Sequence, residues 1–159
     1  MSMEHLSEAL ALIAKNPEDT DFEGPRSEEL VQKAEQVLGL VFPPTYRAFL
    51  KNLGCGDVAG EEFYGIIDAD FENSGIPDAV WFTLEERKTG GLPLSYVVIG
   101  ALGDGELLAL DTKGAAAGRE GPVLLLPEGY SQPGAVIENL ADDFGEFFLR
   151  TVKEALGDD

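Results

Sequence analysis

Residues 38–56 read LGLVFPPTYRAFLKNLGCG. The stretch holds a double proline, a helix-like apolar rhythm, and two glycines flanking the one cysteine of the chain. Either it is a catalytic loop, or it is the joint of a small scaffold whose activity lies elsewhere. Tyr46, Phe49, Leu50 and Leu53 are spaced i, i+3, i+4, i+7, which predicts a helix from Pro44 or Thr45 to Leu53. Proline is tolerated in a first helical turn, and Gly54 ends the helix. Upstream, Ser27 fits an N-cap, with Glu28 and Glu29 in the electropositive first turn. A helix over 28–38 follows, with Leu30, Val31, Ala34, Val37 and Leu38 as its buried stripe, and Gly39 stops it. Leu40–Phe42 is expected to be extended. The stretch is therefore a helix–elbow–helix joint, fixed by Pro43 and Pro44, with Tyr46 and Phe49 pointing inward.

Working outward, residues 3–15 predict an amphipathic helix that Asn16-Pro17 stops. NPEDTDFEGPR is expected to be a loop. Beyond Gly56, GEEFYGIID reads as a strand, followed by an acidic loop through Pro77. Ala79–Phe82 reads as a short strand. Thr83 and Glu86 then form a capping box that opens one or two helical turns. YVVIG (96–100), a turn at 103–105 and ELLALD (106–111) predict a hairpin. PVLLLP (122–127) and AVIEN (135–139) are further strands, and KGAAAGREG is a loop of small residues. A last helix covers 141–156, with Leu140, Phe144, Phe147, Phe148, Thr151, Val152 and Ala155 on its apolar face. Without regular β–α alternation this order predicts α+β: a single domain with helices packed against a largely antiparallel sheet. The domain spans 1–159, with 1–21 as an N-terminal helix and loop extension.

Composition narrows the function. The chain has 159 residues, 44% of them hydrophobic, which suits one soluble domain. Uncharged apolar runs fall far short of the roughly 18 residues a membrane span needs. The amphipathic start is unlike a secretory signal. One cysteine, Cys55, excludes an internal disulfide and fits a cytoplasmic setting. Thirty acids against eleven bases give a net charge of −19. Such a surface repels nucleic-acid phosphates and anionic membranes and attracts basic partners. Acidic surfaces also simply keep proteins soluble.

Little in the sequence points to catalysis. His5 is the one histidine; in a first helical turn it reads as a solvated surface residue. Cys55 between two glycines reads as a backbone turn, and Asp57, Glu61 and Glu62 have the wrong sign to activate a thiol. Asp68, Asp70 and Glu72 resemble the first positions of a calcium loop. Asn73 then stands where glycine is needed and Ala79 where the closing glutamate belongs. No phosphate-loop glycine pattern is present, and no metal or cofactor is expected. Trp81 reads as core or half-core, or alternatively as an aromatic anchor for a partner. A pair of carboxylates acting as a hydrolase remains a third reading.

Residues 22–66, FEGPRSEELVQKAEQVLGLVFPPTYRAFLKNLGCGDVAGEEFYGI, resemble the N-terminal half of the SUKH superfamily, which is related to the fungal Smi/Knr regulators of cell-wall assembly. Ala34-Glu35, Leu38-Gly39, Phe42-Pro43, Tyr46, Phe49-Leu50, Gly54-Cys55-Gly56 and Gly65 match the family steps in order. Trp81-Phe82-Thr83, Arg87, Leu92-Pro93, Tyr96, Val98-Ile99-Gly100, Gly103-Asp104-Gly105, Leu110-Asp111 and Phe144–Leu149 continue it, to about residue 150. Leu53-Gly54-Cys55-Gly56 departs from the family's Asn-Gly-Gly turn. The resemblance implies an α+β fold, no catalytic set, and a protein partner. For bacterial members that partner is a toxin domain, often a nuclease, which the immunity protein neutralises. A regulatory scaffold, as in the fungal relatives, is the alternative. Local charge density and turn position nominate Asp57, Glu61, Glu62, Asp68, Asp70, Glu72 and Trp81 as the partner-binding residues.

Overall fold

The computed structural model describes residues 2–157. Five helices, α1 (Ser2–Lys15), α2 (Glu28–Leu38), α3 (Pro44–Leu53), α4 (Ala79–Thr89) and α5 (Phe144–Leu156), pack on two antiparallel sheets. The first sheet has the order β1 (Thr20–Phe22), β2 (Gly56–Val58), β3 (Glu61–Phe63). The second has the order β4 (Tyr96–Ala101), β5 (Leu107–Asp111), β6 (Val123–Leu126), β7 (Glu138–Ala141). The Tyr64 N–H donates to Ile99 O at 3.0 Å and ties the end of β3 to β4.

The opening stretch is the elbow that its sequence predicts. The Ser27 hydroxyl accepts from the Leu30 N–H, and Gly39 closes α2 in the left-handed conformation. Pro43, the cap of α3, has no side chain to offer the helix's free N–H groups. Glu120 supplies the missing acceptor from 75 residues away. It takes the Thr45 N–H at 3.0 Å and the Thr45 hydroxyl at 2.9 Å, and that hydroxyl accepts the Gly145 N–H at the start of α5. Tyr46 and Phe49 do point inward. They meet Phe63, Phe144 and Phe148 in a cluster of stacked and edge-on rings with centroids 4.7–6.4 Å apart. Each fully buried aromatic contributes roughly 1.5–3 kcal/mol. α1 adds Leu6, Ala9 and Ile13 to the same core and lies along α5.

Several expected elements differ. Ala79–Phe82 is not a strand but the first turn of α4. A four-residue apolar run carries no periodicity that separates helix from strand, and Asp78 decides the matter by capping the helix from within the core. Thr83 is accordingly no cap: it is buried mid-helix, and its hydroxyl accepts the Val98 N–H at 2.9 Å beside a register shift in β4. The segment 16–26 is not all loop, because Thr20–Phe22 is recruited as β1 by pairing with β2. The strand expected over GEEFYGIID is only its Glu61–Phe63 portion. It is preceded by an unforeseen β2, and Ala59 and Gly60 turn the hairpin with positive φ. β7 begins at Glu138, three residues later than AVIEN, and Leu40–Phe42 is irregular. α5 starts at Phe144, so Leu140 belongs to β7. Val37 of the supposed stripe is 42% exposed, and His5 is half-buried rather than solvated, with Nδ1 enclosed and without a hydrogen-bond partner among the described residues.

Candidate functional site

The glycine–cysteine turn is architecture. Gly54 has φ 75°, and a Cβ there would lie 2.5 Å from Gly24 O; at Gly56 it would lie 2.1 Å from Asp21 O. The turn brings α3 into β2 through a gap that only backbone fits. Cys55 is fully buried between them, and burial pushes its thiol up to about 11. A thiol so protonated is a poor nucleophile.

The turn delivers the chain into the β2–β3 hairpin, where the first group of candidate residues stands. Register pairs Asp21 with Asp57 and Asp57 with Glu62. Val58 and Phe63, one residue to either side, are buried. Side chains alternate along a strand, so Asp21, Asp57 and Glu62 form one row across three strands on the outer face. Asp57 also braces the turn, its Oδ2 accepting the Gly60 N–H at 3.0 Å. Glu61 is not in this row. It falls on the alternate side, where it lines a hollow of about 330 Å³ with Thr151, Glu154 and Ala155 of α5. Asp21 escaped sequence reasoning because its strand is visible only through its partner.

The second group lies on the 67–78 loop. Asp68 Oδ1 accepts the Asp70 N–H at 2.9 Å, and Asp70 Oδ1 accepts from Asn73 Nδ2 at 3.1 Å. Glu72 is exposed on the short 3-10 turn 71–73, which buried Phe71 pins down. These carboxylates shape their own loop, as Asp side chains do in turns. Among the described residues no group of three or more His, Cys, Asp or Glu is placed to hold a metal ion. Behind the loop sits Asp78, with no exposed surface. Its Oδ1 accepts from Val80 and Trp81 N–H at 2.9 and 3.0 Å; its Oδ2 accepts from the Ser74 hydroxyl at 3.2 Å and the Ile67 N–H at 3.4 Å. Burial raises the Asp78 pKa, and the hydrogen bonds oppose that rise. Trp81, half-buried, leans edge-on against Phe82 with centroids 6.1 Å apart. The loop and hairpin groups share no hydrogen bond among the described residues.

The scarce cations are largely committed elsewhere. Arg47 grips Glu28, with Nη1 2.7 Å from Oε1, and reaches Glu35 at 3.3 Å; Lys51 joins Glu28 at 3.0 Å. The Arg47 guanidinium first, then Lys51, holds Glu28 far below the usual carboxylate range. Lys153 pairs with Glu8, and Arg150 with Glu146. Among the described residues none of Asp21, Asp57, Glu61, Glu62, Asp68, Asp70 or Glu72 has a cation within ion-pair distance. A cleft of about 440 Å³ between the end of α4 and the 128–132 loop holds Glu86 and Glu128. There the Tyr130 hydroxyl donates to Glu86 Oε1 at 2.7 Å, and burial, then Glu86, raises the Tyr130 pKa. The sequence has no motif linking positions 86 and 130.

A helical layer over two antiparallel sheets, closed around one hydrophobic core, defines an α+β protein. Residues 3–153 match the SUKH_5 family model, described as SMI1-KNR4 cell-wall, and the chain belongs to that family. The match extends beyond 22–150 to take in α1. No curated protein matches the chain significantly. Among the described residues no helix is long and apolar enough to cross a membrane.

Proposed function

We propose that the protein is a binding module, not a catalyst, and that it neutralises a cognate toxin domain by docking a basic surface onto its acidic strand face. The observation that carries this reading is the row Asp21–Asp57–Glu62. Like charges placed opposite one another on a sheet are destabilising. A row of three without an intervening cation is therefore an arrangement that folding alone does not favour. A partner bearing arginines or lysines relieves it on contact. The loop acids Asp68, Asp70 and Glu72 and the half-buried Trp81 extend the charged surface and add an apolar anchor. Nuclease domains that grip phosphate are basic and suit such a face, and electrostatic steering would speed their capture. A SUKH membership supports a protein partner of this kind.

The test is co-expression with toxin genes adjacent to this one. The wild-type chain should restore growth against its cognate toxin, and the Asp21→Asn/Asp57→Asn/Glu62→Gln variant should not. The association rate should fall severalfold as NaCl rises from about 50 to 500 mM. Failure to rescue against any neighbouring toxin would remove the immunity reading. The family description also names the cell wall, which supports a second reading as a regulatory scaffold. That reading requires affinity capture to return the cell's own wall or signalling proteins.

A further inference from the structure

The elbow between α2 and α3 carries a second surface of opposite character. Gly39, Leu40 and Val41 on one side and Leu94, Ser95 and Ala116 on the other enclose a groove of about 370 Å³. An adjoining hollow of about 430 Å³ on the α2 side shares Gly39, Leu40 and Val41. Leu94 is 73% exposed and Val41 40%. Among the described residues no carboxylate lines the groove, and Lys113 does. The one acid of the adjoining hollow, Glu35, is occupied by Arg47 and by the Phe42 N–H.

Arg87 builds this groove. Its Nη2 donates to Leu38 O at 2.8 Å and to Leu94 O at 3.0 Å, joining the chain segments that form the two walls. Its Nε is buried without an acceptor among the described residues. Arg119 stands on the same 112–121 loop as Lys113, folded over Gly114. Among the described residues Arg87, Lys113 and Arg119 have no carboxylate within ion-pair distance. In a chain with thirty acids and eleven bases, an apolar groove lined by Lys113, with Arg119 on the same loop and neither of them in an ion pair among the described residues, is a local inversion of charge.

We infer that this groove docks a partner segment whose apolar side chains are flanked by carboxylates. The apolar residues enter between Val41 and Leu94, and the carboxylates meet Lys113 and Arg119. Charge complementarity selects that occupant over a basic one. It also disfavours a second copy, because two chains of −19 repel as whole bodies. The surface is distinct from the strand face, so the two could be engaged together.

The test uses the full chain with methyl-labelled Leu and Val. The probes are two fluorescent peptides, each with a Leu-Leu-Phe centre, one flanked by aspartates and one by lysines. The aspartate peptide should shift the Leu40, Val41 and Leu94 methyl signals; the lysine peptide should leave them in place. Leu94→Asp, at an exposed position, should abolish binding while the melting curve stays unchanged. Lys113→Glu should weaken binding about five- to tenfold at low salt. The proposal is overturned by groove methyls that do not move at millimolar aspartate peptide, by equal binding of both peptides, or by unchanged affinity in Lys113→Glu. Sedimentation showing dimers that bury these methyls would overturn it in favour of self-association.

Discussion

Asp78 holds the end of the acidic loop and the start of α4 on a single carboxylate. Each of its oxygens has two donors. Asp78→Ala removes the cap and strands buried N–H groups, so it should lower stability by about 2–4 kcal/mol in urea titration. Asp78→Asn keeps the Oδ1 bonds and should lose about half as much. Equal losses for the two would mean that the charge, not the acceptor geometry, matters. The sequence offered Thr83 for this role, since T-L-E-E satisfies the capping-box spacing. It could not show that the Thr83 hydroxyl is already engaged by Val98 from another element. Cys55 is the converse case, legible as a turn residue from its flanking glycines. Burial pushes the thiol up to about 11, which leaves about a hundredth of the thiolate that an ordinary cysteine carries at pH 8. Iodoacetamide labelling of the folded chain should therefore run at least ~100-fold slower than in denaturant; comparable rates would contradict a buried thiol.

Among the elements, legibility followed a complete apolar pattern; α4 is as long as α2 but lacks such a stripe, and its first turn reads as a strand. α2, α3 and α5 carry whole helical stripes with capping residues, and β4, β5 and β6 carry apolar runs bounded by turn glycines. β1, β2 and β3 have three residues each, too few to establish an alternation, and exist because they pair with one another. The acidic row is a product of that pairing: Asp57 and Glu62 were legible as a local cluster, but their alignment with Asp21 was not. Separating function from stability at this sheet gives a test. Asp21→Asn/Glu62→Gln leaves Asp57 to hold its turn and removes two of the three aligned charges. It should stabilise the fold by about 0.5–1 kcal/mol and slow association with a basic partner severalfold. A variant that is destabilised would show that the row is satisfied within the fold.

At the scale of the whole molecule, acids that the fold buries and acids that it leaves unpaired both disfavour the charged native state near neutrality. Burial raises the pKa of Asp78 above 3.8 and of Glu120 above 4.5. The stability linked to their neutral forms is complete below those ordinary values and is lost as pH rises through the raised ones. Glu28 acts oppositely: Arg47 and Lys51 depress its pKa, so its contribution is present above 4.5 and fades as pH falls beneath it. Self-repulsion among −19 charges also declines as acid is added. Together these place the stability maximum near pH 5 and not at pH 7. Thermal melts should show a Tm several degrees higher at pH 5 than at pH 7 in dilute buffer. At pH 7, raising NaCl from about 0.02 to 0.5 M shortens the screening length from roughly 20 to 4 Å, so it should raise Tm and close much of that gap. A Tm flat in both pH and salt would mean that the acidic faces are too dispersed to repel one another, and the same dispersal would leave them too weak to steer a basic partner.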